Sequence, residues 1–387
     1  MAVGASQLLC APILPNTDEG DRASIMTNTQ KISFKQLAVL LVLSRLSADG
    51  ADFRAVEAGY SMQRFTVLIV SGVILFLLYL PLIFLAVKHP GESAISVISS
   101  KSKVLGWLCG LFIVLTLLIN ALSSICSTST YISSTLAGEA PVFLLVLLPL
   151  AACTVAAWKG LQGSARSGVL FGLLFAAFLL LMIFSVWERF DWEWLYPAFL
   201  EEPELFVGQV LRQLGRSSEM LVFAVLMEFV NKKAAYTVFW YIPSAILLQA
   251  LKLLLQIIVL GPFLDIASFP FFAISALSDI VLFQRLDGIN VAVWLLLCIV
   301  KVTVALLCTR AVFNRLAGEK AGKAAVLTEI GIVAVLGILM GDRSELALRI
   351  DNISSSWIIL LAGGLLIPII ALIAAKLKKR GAYEKNS

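Results

Sequence analysis

The sequence predicts an all-α polytopic membrane protein: about ten transmembrane helices, arranged as two inverted five-helix repeats, with helices one and six broken. Three observations predict this. The 387 residues are 60% hydrophobic and only 14% charged, whereas soluble domains run at about half and a quarter. Apolar runs of membrane-spanning length recur along the chain, since about 20 helical residues cross the hydrocarbon core. Two runs, the first and the sixth, are short and interrupted by polar residues and glycine.

Residues 1–30 have no basic start, apolar core or cleavage site of a secretory signal. They read as a disordered cytoplasmic extension, and Met26 is the more natural start. Residues 31–375 form the membrane domain. Its first segment, Ile32–Leu46, is followed by a polar turn at Ser47–Gly50. Clear spans follow at Phe65–Val87 and Val104–Cys126, then a shorter one at Pro141–Trp158 and another at Gly168–Trp187. The sixth segment, Leu205–Val230, breaks at Gly215–Ser218. Tyr236–Leu260, Gly288–Phe313, Ala325–Gly341 and Ser355–Ala375 complete the ten, and residues 376–387 are a basic cytoplasmic tail.

Lys and Arg accumulate in cytoplasmic loops. With both termini cytoplasmic, the inner side holds nineteen of the thirty, including Lys101, Lys103, Lys232, Lys233 and the run Lys376–Arg380. The outer loops hold eight and most acids. Omitting either interrupted segment would put Lys232–Lys233 or the tail on the wrong side. The tryptophans fall at span ends, Trp107, Trp158 and Trp240 inside and Trp187, Trp192, Trp194, Trp294 and Trp357 outside, where aromatic rings favour the membrane boundary.

A broken membrane helix exposes backbone N–H and C=O groups, so it persists only where it lines an enclosed or wet cavity. Matching interruptions in two repeats point to a solute site. Half-helix N-termini suit a carboxylate, and the opposite ends offer carbonyls to a cation. The candidate solute-binding residues are therefore Ser44, Arg45, Ser47, Asp49, Gly50, Ser217, Ser218 and Glu219. Asn120, Ser124, Ser127 and Tyr131 form a polar stripe that either joins the site or bonds helices together. Lys252 shares a helix face with Gln249 and Gln256 and carries the same two readings; with Lys301 it is a candidate cation-site or coupling residue. Glu228 and Glu329 are expected near cytoplasmic ends, paired with basic loops such as Lys232–Lys233.

Other chemistry lacks support. The six cysteines include no C-x-x-C and the single histidine, His89, reads as a solvated loop residue, so no metal, cofactor or enzymatic activity is expected. Gly163–Gly168, "GSARSG", is expected in a cytoplasmic loop and lacks the Lys-Ser/Thr of a nucleotide loop. No nucleic-acid partner is expected.

Several stretches resemble the endospore germination permeases. They are "KISFKQLAVLLVLSRL" (Lys31–Leu46), "AAWKGLQGSARSG" (Ala156–Gly168) and, most specifically, the block Phe269–Lys301 with Arg285-Leu-Asp287 and the Trp294–Lys301 run. That family comprises the membrane-embedded B subunits of GerA-type nutrient germinant receptors, within the amino acid–polyamine–organocation transporters. The resemblance covers Lys31 to the last span. It implies the spore inner membrane or cell membrane, a small nutrient ligand such as an amino acid, A and C partner subunits, and a pocket between spans one and six lined by spans three and eight. It also suggests Lys301 as a tethered substitute for a coupling cation. Ala51–Gln63 departs from the family pattern by carrying Asp52, Arg54 and Glu57. Three readings follow: a receptor subunit, an amino acid or cation symporter, and a non-binding scaffold.

Overall fold

A computed structural model describes residues 31–50, 61–135, 140–195, 203–230, 233–278, 286–341 and 343–383. The described residues are almost entirely helical. Their one bridge outside helices pairs Ile32 with Val230 in parallel. Helix α1 (Phe34–Gly50) starts at a reciprocal cap, in which the Gln36 N–H donates to Ser33 Oγ and the Ser33 N–H donates to Gln36 Oε1. The polar turn Ser47–Gly50 is still helical, and α1 ends at its glycine. The charged continuation at 51–60 lies outside the described residues, as does the extension 1–30.

Next come α2 (Ser61–Lys88), short α3 (Ala94–Ser99) and α4 (Lys103–Thr135). Helix α5 (Val142–Ser185) has 44 residues, about twice the length of a span. It bends at Gly160, whose φ of 82° is open to glycine but strained for other residues. This corrects the cytoplasmic loop expected over Gly163–Gly168: the chain turns on one glycine and the GSARSG stretch is helical.

The sixth segment is interrupted as the sequence predicts. Helix α6 (Pro203–Gly215) and helix α7 (Glu219–Leu226) flank a non-helical Arg216–Ser218. After α8 (Tyr236–Leu260), a short α9 (Pro270–Ala276) lies before α10 (Asp287–Ala317) and α11 (Glu319–Met340). Helix α12 (Ser344–Ser354) occupies the expected last outer loop. Helix α13 (Trp357–Leu360), a π-helical stretch Leu361–Leu366 and α14 (Ile367–Tyr383) follow. The short α3 and α9 stand at matching places after the second helix of each half.

Among the described residues, seven helical stretches are long and apolar enough to cross a membrane, the last running from α12 into α14. One of them is the two-part α5, while α1 and the divided α6–α7 fall below that length. The most apolar window of α10 is 78% buried, against 22% for α11, which makes α10 the centre of the bundle. Leu, Val and Phe on α2, α4, α5 and α11 face outward, where lipid replaces water as solvent. Seven tryptophans are exposed; Trp294 is the exception, buried at 5% exposure against Phe271, 6.0 Å between ring centroids. It is a packing residue rather than the boundary anchor expected of it.

Candidate functional site

The break in the sixth segment follows from three contacts. A Cβ on Gly215 would overlap the backbone of Ser355 and approach the Trp357 nitrogen to 2.8 Å, so only glycine lets α6 end against the α12–α13 junction. The last carbonyls of a helix lack partners within it. Arg45 Nη2 donates to the Gln213 carbonyl at 2.9 Å and Nη1 donates to Ser217 Oγ at 3.2 Å. A guanidinium at the C-terminal end of α6 also complements the helix dipole.

Across the break, Glu219 opens α7 and is fully buried. Ser44 Oγ donates to its Oε1 at 2.9 Å, while Oε2 has no hydrogen-bond partner among the described residues. Arg45 and Lys301 are the cations whose charge acts on it. Adjacent residues of α1 thus hold both sides of the break. The other end of α7 is tied back too: the Ile32 N–H donates to the Phe229 carbonyl at 3.0 Å.

Beside this lock lies a small polar cavity. Ser47 from α1, Arg216 from the break and Lys301 from α10 form part of its wall. Asn120, Ser123, Ser124 and Ser127 line it from α4, and Asp351, Ser354 and Ser355 close the remaining side. Its free volume is only about 20 Å³, enough for one water but not for an amino acid. Ser123 Oγ donates to Asp351 Oδ1 at 3.0 Å. Asn120 and Ser124 hydrogen-bond to carbonyls one turn back on α4, to Thr116 and Asn120 at 2.9 Å each. A second cavity on the opposite side of α1 is lined by Arg45, Gln213, Ser217, Tyr241 and Gln249.

The structure places Ser47, Asn120, Ser124 and Lys301 on the first cavity, Arg45 and Ser217 on the second, and Ser44 on Glu219 at the break. Ser218 is buried in the break itself. Asp49 and Gly50 end α1, with side chains outside the described residues. Lys252 lies apart, its ammonium 5.7 Å from the Trp294 ring centroid, within cation–π range.

Sequence reasoning missed Asp351 and Ser354, which it left in an outer loop, and Ser355, which it took only as the start of the last span. Their signal was the spacing of Ala347, Ile350, Asp351 and Ser354, which repeats at three and four residues. It also missed Asn290, which donates to Ser275 Oγ at 3.0 Å and to Tyr131 Oη at 3.2 Å beneath the Phe269 and Phe272 rings. Glu228 lies against Ser93 and within electrostatic reach of Arg315, a different basic partner from the Lys232–Lys233 loop. Glu329 has no basic loop against it: it is 3% exposed inside the bundle, because α11 begins six residues earlier than the apolar run.

A sequence profile described as spore germination protein, a spore permease, matches residues 31–346. The chain belongs to that family. It is an integral membrane protein with the fold of permeases and transporters. No curated protein sequence matches it. Among solved structures, a Na+-coupled sialic acid symporter in a substrate-bound outward-open state superposes with a TM-score of 0.63 at 13% identity, covering 90% of this chain and 80% of the symporter. At that identity the likeness is one of fold.

Proposed function

Proceeding from that family membership, we propose that this chain is the membrane-embedded subunit of a nutrient germinant receptor, which binds a small solute, an amino acid above all, between its first and sixth segments. The observation that carries the reading is the polar cavity against the helix break. Arg216 and Lys301 line it beside Asp351, and the Ser44, Arg45 and Glu219 contacts of the break adjoin it. A wall that carries cations and an acid matches a zwitterion, and the excess of one cation favours a ligand carboxylate. Because the cavity is closed, the ligand must widen it. Parting the walls would load or release the Arg45 and Ser44 locks, which gives ligand and conformation a shared free energy.

The same reading places the chain in the spore inner membrane or cell membrane beside A and C subunits, with ten spans and both termini cytoplasmic. Spores carrying Glu219→Gln test it through nutrient dose–response. A response midpoint raised tenfold or more, about 1.4 kcal/mol, with the protein still present in the membrane, is expected. An unchanged curve removes Glu219 from the site.

A symporter is the second reading, favoured by the superposition on a Na+-coupled symporter. Uptake of labelled amino acids by the purified chain in liposomes would establish it, and binding without uptake would leave the receptor.

A further inference from the structure

Helix α11 presents a narrow face to the bundle, formed by Gly322, Glu329, Val333 and Gly337. Small or apolar residues suffice for such packing, yet one position is a glutamate. Glu329 is the eleventh of 22 residues of α11 and the fifth of the apolar run that begins at Ala325, about 6 Å into that run at 1.5 Å per residue. Neither carboxyl oxygen has a hydrogen-bond partner among the described residues.

Two side chains of α10 face it. Thr309 is 1% exposed, and its hydroxyl faces the Glu329 carboxyl. Cys308, wholly buried, is the titratable group across the seam. Arg310, the next residue, acts on Glu319 at the end of α11. The other helices packed on α11 bring no ion to this depth. Helix α4 has one charged residue, Lys103 at its start, and the first half of α5 has none before Lys159. On α12, Glu345 pairs with Arg349 at 2.7 Å and Asp351 accepts from Ser123. A bare carboxylate in so apolar a place is prohibitively costly whereas the neutral acid is not, and the Thr309 hydroxyl stands beside it to donate to the carboxylate when the proton leaves.

We propose that Glu329, with Thr309, is a proton-binding site at the α10–α11 seam, separate from the solute cavity. Its proton leaves by heterolysis of the carboxyl O–H bond, the electron pair staying on the carboxylate and the proton passing to water. Helix α10 carries Lys301 in the cavity and, about two turns further on, the residues that face Glu329. Loading of the two sites therefore bears on one helix.

The test uses the full chain in lipid bilayers, treated with dicyclohexylcarbodiimide, which couples to neutral carboxylic acids in apolar surroundings, and mapped by peptide mass spectrometry. Glu329 is expected to be labelled near neutral pH, with labelling falling about tenfold per pH unit above its midpoint, as a one-proton equilibrium requires. Thr309→Val, which removes the hydroxyl able to donate to the carboxylate, should move that midpoint upward. Infrared spectra of wild type minus Glu329→Gln should contain a carboxylic-acid band that vanishes on alkalinisation. Glu329 left unlabelled throughout, labelled equally at every pH, or absent from that difference spectrum overturns the proposal. The labelling needs only the wild-type chain, so a variant that fails to fold does not block the decision.

Discussion

Glu219 and Glu329 are both almost wholly buried in one bundle, but Glu219 accepts from Ser44 at 2.9 Å beside Arg45 and Lys301, whereas among the described residues Glu329 has the Thr309 hydroxyl beside it and no cation. Depth is similar for the two; the partner set differs. Around Glu219 the helix break supplies polar groups, because a backbone without its own hydrogen bonds must be met by side chains. Around Glu329 both helices are regular and spend their backbone groups internally, which leaves the carboxyl only Thr309. The same residue type can thus lock two half-helices in one place and stand ready for a proton in another.

Five substitutions test this contrast. Arg45→Ala should have the largest effect, about 3–5 kcal/mol of stability, since it strips a buried charge partner and uncovers the Gln213 carbonyl. Thermal melting of the purified protein measures it, and a loss below about 1 kcal/mol would mean that Arg45 does not hold the break. Ser44→Ala should cost about 1.5–3 kcal/mol, the range for a hydrogen bond to a charged group.

Glycines separate the two regions in a different way. Gly215→Ala should destabilise by about 1–3 kcal/mol or more, because the added methyl meets the Ser355 backbone, which cannot swing aside. Gly331→Ala, two residues from Glu329, has open space around it and should stabilise by up to about 1 kcal/mol through helix propensity. Equal melting shifts for the pair would refute the tight approach of α6 to the α12–α13 junction. The smallest stability change, below about 1 kcal/mol, belongs to Glu329→Gln, which keeps the volume and neutrality of the bound acid. A loss as large as that of Ser44→Ala would show that Glu329 is engaged much as Glu219 is.

Much of this was legible in the chain. Gly215–Ser218 announced its break by placing glycine and serines inside an apolar run. Ser44, Arg45 and Glu219 stood out because an ion or hydroxyl at membrane depth needs a reason. Asp351 did not stand out: it lies among Arg343, Glu345 and Arg349, where a charge looks solvated, and only the fold of α12 onto α4 turns it inward. The partner of Glu329 was not legible, because the sequence does not say which neighbour the face carrying it meets, and the structure sets it against Thr309 rather than a basic loop.

Composition and periodicity by themselves determined a helical membrane protein and the interruption of its sixth segment, because backbone hydrogen bonding in lipid leaves few alternatives. The tertiary structure decided which polar residues meet. Arg45 reaches Gln213 and Ser217 across more than 160 residues of sequence, Lys252 is drawn to Trp294 and away from the cavity, and Glu329 is left facing Thr309. Local sequence fixes the face of a helix on which a residue lies, but the neighbour of that face is set by packing among helices distant in the chain.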